Sequence, residues 1–449
     1  MNISFMRIAF RKKLMPIMLT PAIFVSSLNA TEPNVESKQW PSWRGPNFNG
    51  AAASSAHPPV IWDAQTNVKW SSPIPGEGSS TPVVWGDQIF VLSAEATDRK
   101  RETPAEADPQ DKTTPPDVYY KFIVTSLDRG TGKVRWQHVA TEQVPHEGKH
   151  QTHTYAAASP VTDGKLLYAS FSSRGIFAYT LDGDLRWQVD LGDMQTRFGW
   201  GEAVTPAIAD DKLIVNWDQE KGSFITALDA ATGQQLWRVE RPEEATSWNT
   251  PLVVKADGRT LVIVNGTHRV KAYDAADGRE VWSCGGQTVN AIPTPLQYKD
   301  TAIALSGYRA AAGFAIPLDS SGDVTGSSTL RWKVDQGTPY VPSPALSGDR
   351  LYFTQANTDV LTVINAATGK QIGERKRLSG VGSLYASPLI AGGHVYFTGR
   401  EGTTVVIKDD DTLATVSSNA LGEPVDASPI AIDNQLFLRT WTKVYCIAE

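Results

Sequence analysis

The sequence predicts an all-β chain folded as an eight-bladed β-propeller of four-stranded antiparallel blades, its ring closed by the N-terminal segment. Two observations carry this. Ser/Thr-Pro followed by a short apolar strand recurs eight times, at Pro82, Pro160, Pro206, Pro251, Pro295, Pro344, Pro388 and Pro429, with 41 to 49 residues between neighbours after the first gap. Strand patterns alone fill that period, the signature of blades that bury their faces by stacking in a ring.

The fullest copy is Thr205 to Glu240. Pro206–Ala209 is expected as the innermost strand and Lys212–Trp217 alternates as a half-buried strand should. Ser223–Leu228 is the third strand and Gln234–Val239, carrying Trp237, the outer one. Between the last two, Asp229-Ala-Ala-Thr-Gly233 spells a tight turn: Asp accepts nearby backbone N–H groups and Gly takes the left-handed conformation. Trp136, Trp237 and Trp282 keep the same spacing from their turns; Trp187 and Trp332 keep the Trp after altered turns. Blade six has Gly373 where Trp is expected, blade seven has degenerated further, and blade five carries a Ser/Gly-rich insertion. The eighth copy lacks an outer strand, and residues 67–72, ending their run at Trp70, are expected to supply it and remove two free sheet edges.

Domain organisation follows. Residues 1–30 read as a secretory signal: Arg7, Arg11, Lys12 and Lys13 precede an apolar run too short to span a membrane. No Cys lies nearby to receive a lipid anchor. Residues 31–66 are an N-terminal extended segment and 67–449 the propeller, with 97–116, rich in charge and proline, as a mobile insertion in blade one. The expected location is periplasmic or secreted, with no membrane span after cleavage, and the expected state is a monomer. Losing four basic residues and no acidic one takes the formal charge from −6 to −10, which argues against a nucleic-acid partner. Cys284 and Cys446 fall in opposite blades, so they are expected as buried thiols without a disulfide.

The pattern A-x-D-x-x-T-G-x-x-x-W, spelled ALDAATGQQLW at Ala227 to Trp237, resembles the repeat of the pyrroloquinoline-quinone (PQQ)-like β-propellers. The likeness covers nearly all of the expected mature chain. Trp40-Pro-Ser-Trp-Arg-Gly-Pro46 also looks like the start of secreted, planctomycete-type members. That family includes quinoprotein dehydrogenases and non-enzymatic propellers, notably the lipoprotein of outer-membrane protein assembly. The chain has no Cys-Cys pair, no C-x-x-C-H haem site and no anchoring Cys, so neither branch is matched residue by residue.

Candidate chemistry lies on the top face, where blade connections meet the loops between second and third strands. Tyr155, Glu202, Trp248, Asn290, Tyr340, Tyr385 and Asp426, together with Trp200 and Asn249, precede the Ser/Thr-Pro pairs. Aromatic and polar groups at a channel mouth suit a small polar ligand or sugar; filling of the narrowing channel is the simpler alternative. Arg174, Arg309, Arg400 and Trp441 lie on the other loops; the arginines either converge on an anion or are ordinary surface groups. His146-Glu-Gly-Lys-His150 spells H-E-x-x-H, but Pro145 and Gly148 deny it the helix that zinc proteases use. A looser metal site of His146, His150 and His153 stands beside a solvated loop. The functional expectation is a non-catalytic binding or scaffold propeller that presents its top face to a protein, peptide or glycan and needs no cofactor. The alternative is a divergent PQQ-dependent oxidoreductase acting on alcohols or sugars, with Ca²⁺.

Overall fold

Eight antiparallel sheets, one per blade, are present among the residues described in this computed structural model, which are 1–2, 38–104 and 108–449. The expected signal segment therefore lies almost wholly outside the described residues. In blade three the strands are Ala207–Ala209, Lys212–Trp217, Phe224–Asp229 and Gln235–Glu240, within a residue of the expectation. The eighth blade is completed by Val68–Pro73, paired antiparallel with Lys443–Ile447. Among the described residues no helix is long and apolar enough to cross a membrane.

Two repeated devices join blade to blade, and each explains part of the repeat's spelling. At the ring's centre, at seven of the eight junctions the Ser/Thr-Pro hydroxyl accepts the backbone N–H of the same residue in the preceding blade; at the other the Thr250 hydroxyl accepts from Trp43. Ser159 accepts from Thr81 (2.9 Å), Thr205 from Ser159 (2.9 Å), and Thr294 from Thr250 (3.1 Å). Ser343 accepts from Thr294, Ser387 from Ser343, Ser428 from Ser387, and Thr81 from Ser428, which joins blade eight to blade one. Proline then leads into the inner strand, where a missing N–H is tolerated at a strand start.

Further out, five outer-strand residues, Trp70, Trp136, Trp187, Trp237 and Trp332, reach the turn of the next blade, whereas the Trp282 indole N–H has no partner among the described residues. The indole N–H of Trp187 donates to Ala230 O (3.0 Å), that of Trp237 to Ala275 O (3.1 Å), and that of Trp70 to Arg129 O (3.1 Å). The ring lies flat on the turn glycine. A Cβ at Gly233 would meet Trp187 at 2.7 Å, so the position requires glycine for close approach as well as for its φ of +75°.

Three features go beyond the repeat. The blade-five insertion returns to blade four, where Gly322–Asp323 adds a parallel strand beside Trp282 and Ser283. The blade-one excursion is shorter than residues 97–116: the strand Gln88–Lys100 runs through its start. Past the hairpin, Lys112 N–H donates to Phe198 O, and Thr113 bonds Gly199, so this stretch docks on the connection between blades two and three.

The N-terminal segment does more than reach blade eight. Gln39 and Trp40 pair with Trp85 and Val84 on the free edge of the first inner strand. Trp43 donates to the Thr250 hydroxyl (3.0 Å), Arg44 bonds Pro344 O, and Gly50 and Ala52 bracket Ile390. His57 N–H then bonds Asp433 O (2.8 Å). The segment thus occupies the channel side of blades one, four, six, seven and eight. Trp40 and Arg44 are 1% and 2% exposed. The N-terminal segment is thus packed against the inner strands of the ring.

Candidate functional site

The blade connections enclose an open hollow of about 360 Å³. Its wall is aromatic: Trp200, Trp248, Tyr308, Tyr340 and Tyr385, with His150, His153, Thr152 and Asp426 between them. The rings support one another. Tyr308 and Tyr340 lie 4.8 Å apart between centroids, Trp200 meets Tyr308 edge-on at 6.5 Å, and Phe198 backs Trp200 at 5.2 Å. The Trp248 indole N–H donates to Gly201 O (2.8 Å), which fixes the ring as part of the wall.

The polar groups are held with equal care. The Tyr385 hydroxyl bonds Thr152 Oγ1 (3.1 Å), which bonds His150 Nδ1 (2.7 Å). This joins the connection leaving blade one to the one entering blade seven. Asp426 accepts from Arg400 Nε (2.6 Å) and from the Trp441 indole (2.8 Å), and Arg400 lies over the Tyr385 ring at 4.3 Å. Burial pushes the Tyr340 phenol up to about 12. Burial, followed by the nearby Arg400 charge, lowers His150, so the wall presents neutral imidazole and phenol at pH 7.

A second, much smaller cavity of about 20 Å³ lies beside the first and shares Gly201 with it. His146, Glu147 and Glu202 place one ligand atom each within 4.8 Å of one another there. Thr196 donates its N–H (3.0 Å) and hydroxyl (2.6 Å) to Glu147, and Ser173 donates its N–H (3.0 Å) and hydroxyl to Glu202. Burial raises Glu147 to about 7; burial and the Glu147 charge raise Glu202 to about 8. Burial lowers His146, against the pull of Asp193.

The structure therefore divides the candidate residues. Trp248, Tyr340, Tyr385 and Asp426 meet at the mouth, with Arg400 and Trp441 bonded behind Asp426. Tyr155, Glu202 and Arg174 line the smaller cavity instead. Asn290, at φ +57° and 1% exposed, sits beside Tyr340 with no well-formed hydrogen bond at its amide.

Two groupings that the sequence left open beside simpler readings do not form. The three arginines do not converge. Arg174 is tied to Asp193, Arg400 to Asp426, and Arg309 stacks on Tyr308 (5.2 Å) at a separate hollow. The three histidines do not gather either, because the chain folds back at 150–153 and carries His150 and His153 to the mouth while His146 faces the carboxylates. Tyr308 was not singled out by sequence, although it adjoins Arg309 on the same loop. Nor was Glu147 as a partner of Glu202, since 55 residues separate them and no local pattern joins them.

The family described as outer membrane protein assembly factor BamB matches residues 51–216 and 220–449. The chain belongs to this PQQ-like propeller family. Among solved structures, BamB from Moraxella catarrhalis is 15% identical, with a TM-score of 0.50 over 79% of this chain and 99% of that one. The quinohemoprotein alcohol dehydrogenase ADHIIG from Pseudomonas putida HK5 is 11% identical, with a TM-score of 0.59 over 92% of this chain and 80% of that one. The computationally designed Ika8 protein is 13% identical, with a TM-score of 0.53 over 84% and 99%. At these identities the likeness is one of fold. No curated protein matches the chain.

The dehydrogenase neighbour raises the question of whether this mouth suits PQQ, a planar tricarboxylate. The rings offer stacking faces, but neither Arg nor Lys lines the hollow among the described residues, and the adjacent Arg400 is held by Asp426. The donor set does not fit a group of that charge.

Proposed function

We propose that this PQQ-like propeller is a non-catalytic binding protein, secreted or periplasmic, whose top-face mouth takes a neutral glycan. One observation carries the reading: five fixed aromatic side chains surround an open hollow of about 360 Å³, with Thr152, His150 and Asp426 among them. Sugar rings have apolar faces that stack on such side chains and hydroxyls that bond the polar groups between. The basic and apolar start of the chain supports export.

A peptide segment of a partner protein is the second reading, favoured by the family's description as an outer membrane protein assembly factor. Oxidoreductase chemistry through PQQ is less well supported, for the charge reason given above.

The test is titration of the purified protein with neutral oligosaccharides and with uncharged peptides, followed by tryptophan fluorescence. Saturable quenching by a saccharide, lost in Trp248→Ala, supports the proposal. Saturation by peptides alone moves the function to a protein partner. Quenching by PQQ with Ca²⁺, accompanied by dye-linked turnover, would replace both with the quinoprotein reading.

A further inference from the structure

The smaller cavity has a composition that neither a glycan nor a peptide needs. Two carboxylates, Glu147 and Glu202, are buried side by side, and the nearest guanidinium, Arg174, is committed to Asp193. Both oxygens of Glu147 accept from Thr196 and both oxygens of Glu202 accept from Ser173. Each oxygen keeps a second lone pair, and one ligand atom of each carboxylate lies within 4.8 Å of the other and of His146. Nε2 of His146 lies 3.6 Å from Glu202 Oε1 and 2.7 Å from Met194 O. Because a carbonyl only accepts, Nε2 carries the proton in this arrangement.

We infer that His146, Glu147 and Glu202, with the Met194 carbonyl, form a site for a divalent transition cation of the Zn²⁺ type. Bonds of about 2.0–2.2 Å to nitrogen and oxygen place neighbouring ligand atoms about 3–3.5 Å apart. The observed spacings reach that geometry with side-chain shifts of about 1 Å or less. The cation replaces the proton on Nε2, and the imidazole stays neutral by carrying its proton on Nδ1. That nitrogen faces Asp193 Oδ1 at 3.7 Å, the carboxylate behind a metal-bound histidine that fixes ring orientation. The cavity, at about 20 Å³, holds one ion or water. Phe122, Phe171 and Tyr155 also line it, with Ser170, Ser172 and Arg174, and the four named donors suit the tetrahedral set of Zn²⁺ rather than the six to eight oxygens that Ca²⁺ takes.

The consequence is local to the mouth. The ligands come from the connections leaving blades one and two, and Gly201, next to Glu202, lines both cavities. A bound cation ties these connections together and sets the wall that carries Trp200. The site is independent of the glycan reading and survives its failure.

The experiment is calorimetric titration of chelator-stripped, full-length protein with Zn²⁺ alone and, separately, with Ca²⁺ alone, alongside thermal melts. One Zn²⁺ per chain, a raised Tm, and binding weakened about 100-fold or more in Glu202→Gln and His146→Ala is the expected result. No saturable Zn²⁺ binding, equal binding in both variants, or a preference for Ca²⁺ overturns it. Should the variants fail to fold, X-ray absorption on the Zn²⁺-loaded wild type decides. One imidazole among oxygen ligands supports the site, and two or more imidazoles, or none, reject it.

Discussion

The Asp426 carboxylate accepts from Arg400 Nε at 2.6 Å while its side chain is only 4% exposed, so a blade connection and the adjoining loop are locked by one charge pair. Trp441 donates to the second oxygen (2.8 Å). Removing the carboxylate charge leaves a partly buried guanidinium without its partner. Asp426→Asn is expected to cost about 1–3 kcal/mol, below the range for fully buried pairs because Arg400 retains some solvent contact. Urea unfolding measures the loss. The freed cation should also let the mouth retain anionic ligands that the wild type does not.

The Trp-on-glycine contact between blades is tested by a matched pair of alanines. Gly233 and Gly258 share a φ of +75°, but a Cβ at Gly233 meets Trp187 at 2.7 Å and one at Gly258 meets nothing within 4 Å. Gly258→Ala should cost about 1–2 kcal/mol, the left-handed penalty alone. Gly233→Ala should cost about 1–3 kcal/mol more through overpacking. Equal losses in a denaturant melt would remove the contact from the account of blade stacking.

The hydroxyl girdle at the ring's centre predicts that position 387 needs an oxygen and little else. Ser387 is 1% exposed and its hydroxyl accepts the Ser343 N–H at 2.9 Å. Ser387→Ala strands that buried donor, with an expected loss of about 1–3 kcal/mol, while Ser387→Thr keeps most of the stability. Thermal unfolding of the two variants side by side is sufficient.

The thiols titrate late. Burial pushes Cys284 up to about 11 and Cys446 up to about 12, from an ordinary value of 9. Folded pKa values above the unfolded one mean stability that is complete below pH 9 and is lost as pH rises through 11 to 12. At pH 8 both remain thiols, so iodoacetamide should label neither in the native protein and both after unfolding. Mass spectrometry of the two states reads this directly.

Much of the ring was legible in the sequence because the repeat is local. Thr205-Pro206 to Trp237 states a blade's strands and turns within 33 residues, and blade eight's missing strand was found at Trp70 because that Trp fits the same frame. The mouth was partly legible: Tyr340, Tyr385 and Asp426 occupy equivalent positions before their Ser/Thr-Pro pairs, so periodicity alone brings them together. Glu202 holds an equivalent position, yet its side chain turns to Ser173 and away from the mouth. Rotamer choice of that kind leaves no trace in spacing. The role of Trp43 and Arg44 was hidden for the opposite reason, since they occur once and contact Thr250 and Pro344, about 200 and 300 residues away.

The threaded segment also imposes an order of events on a growing chain. Gly50 and Ala52 need Ile390, His57 needs Asp433, and Val68–Pro73 needs Lys443–Ile447. These partners leave the ribosome about 340 to 380 residues after the segment that awaits them. Until then residues 50–57 and 68–73 lack their partners, and the first and last blades cannot join. Contacts of such span are slow to form and leave the half-built ring adhesive meanwhile. A protein built this way has good reason to postpone folding until translation is finished, and a leader that keeps it unfolded for export would serve that delay.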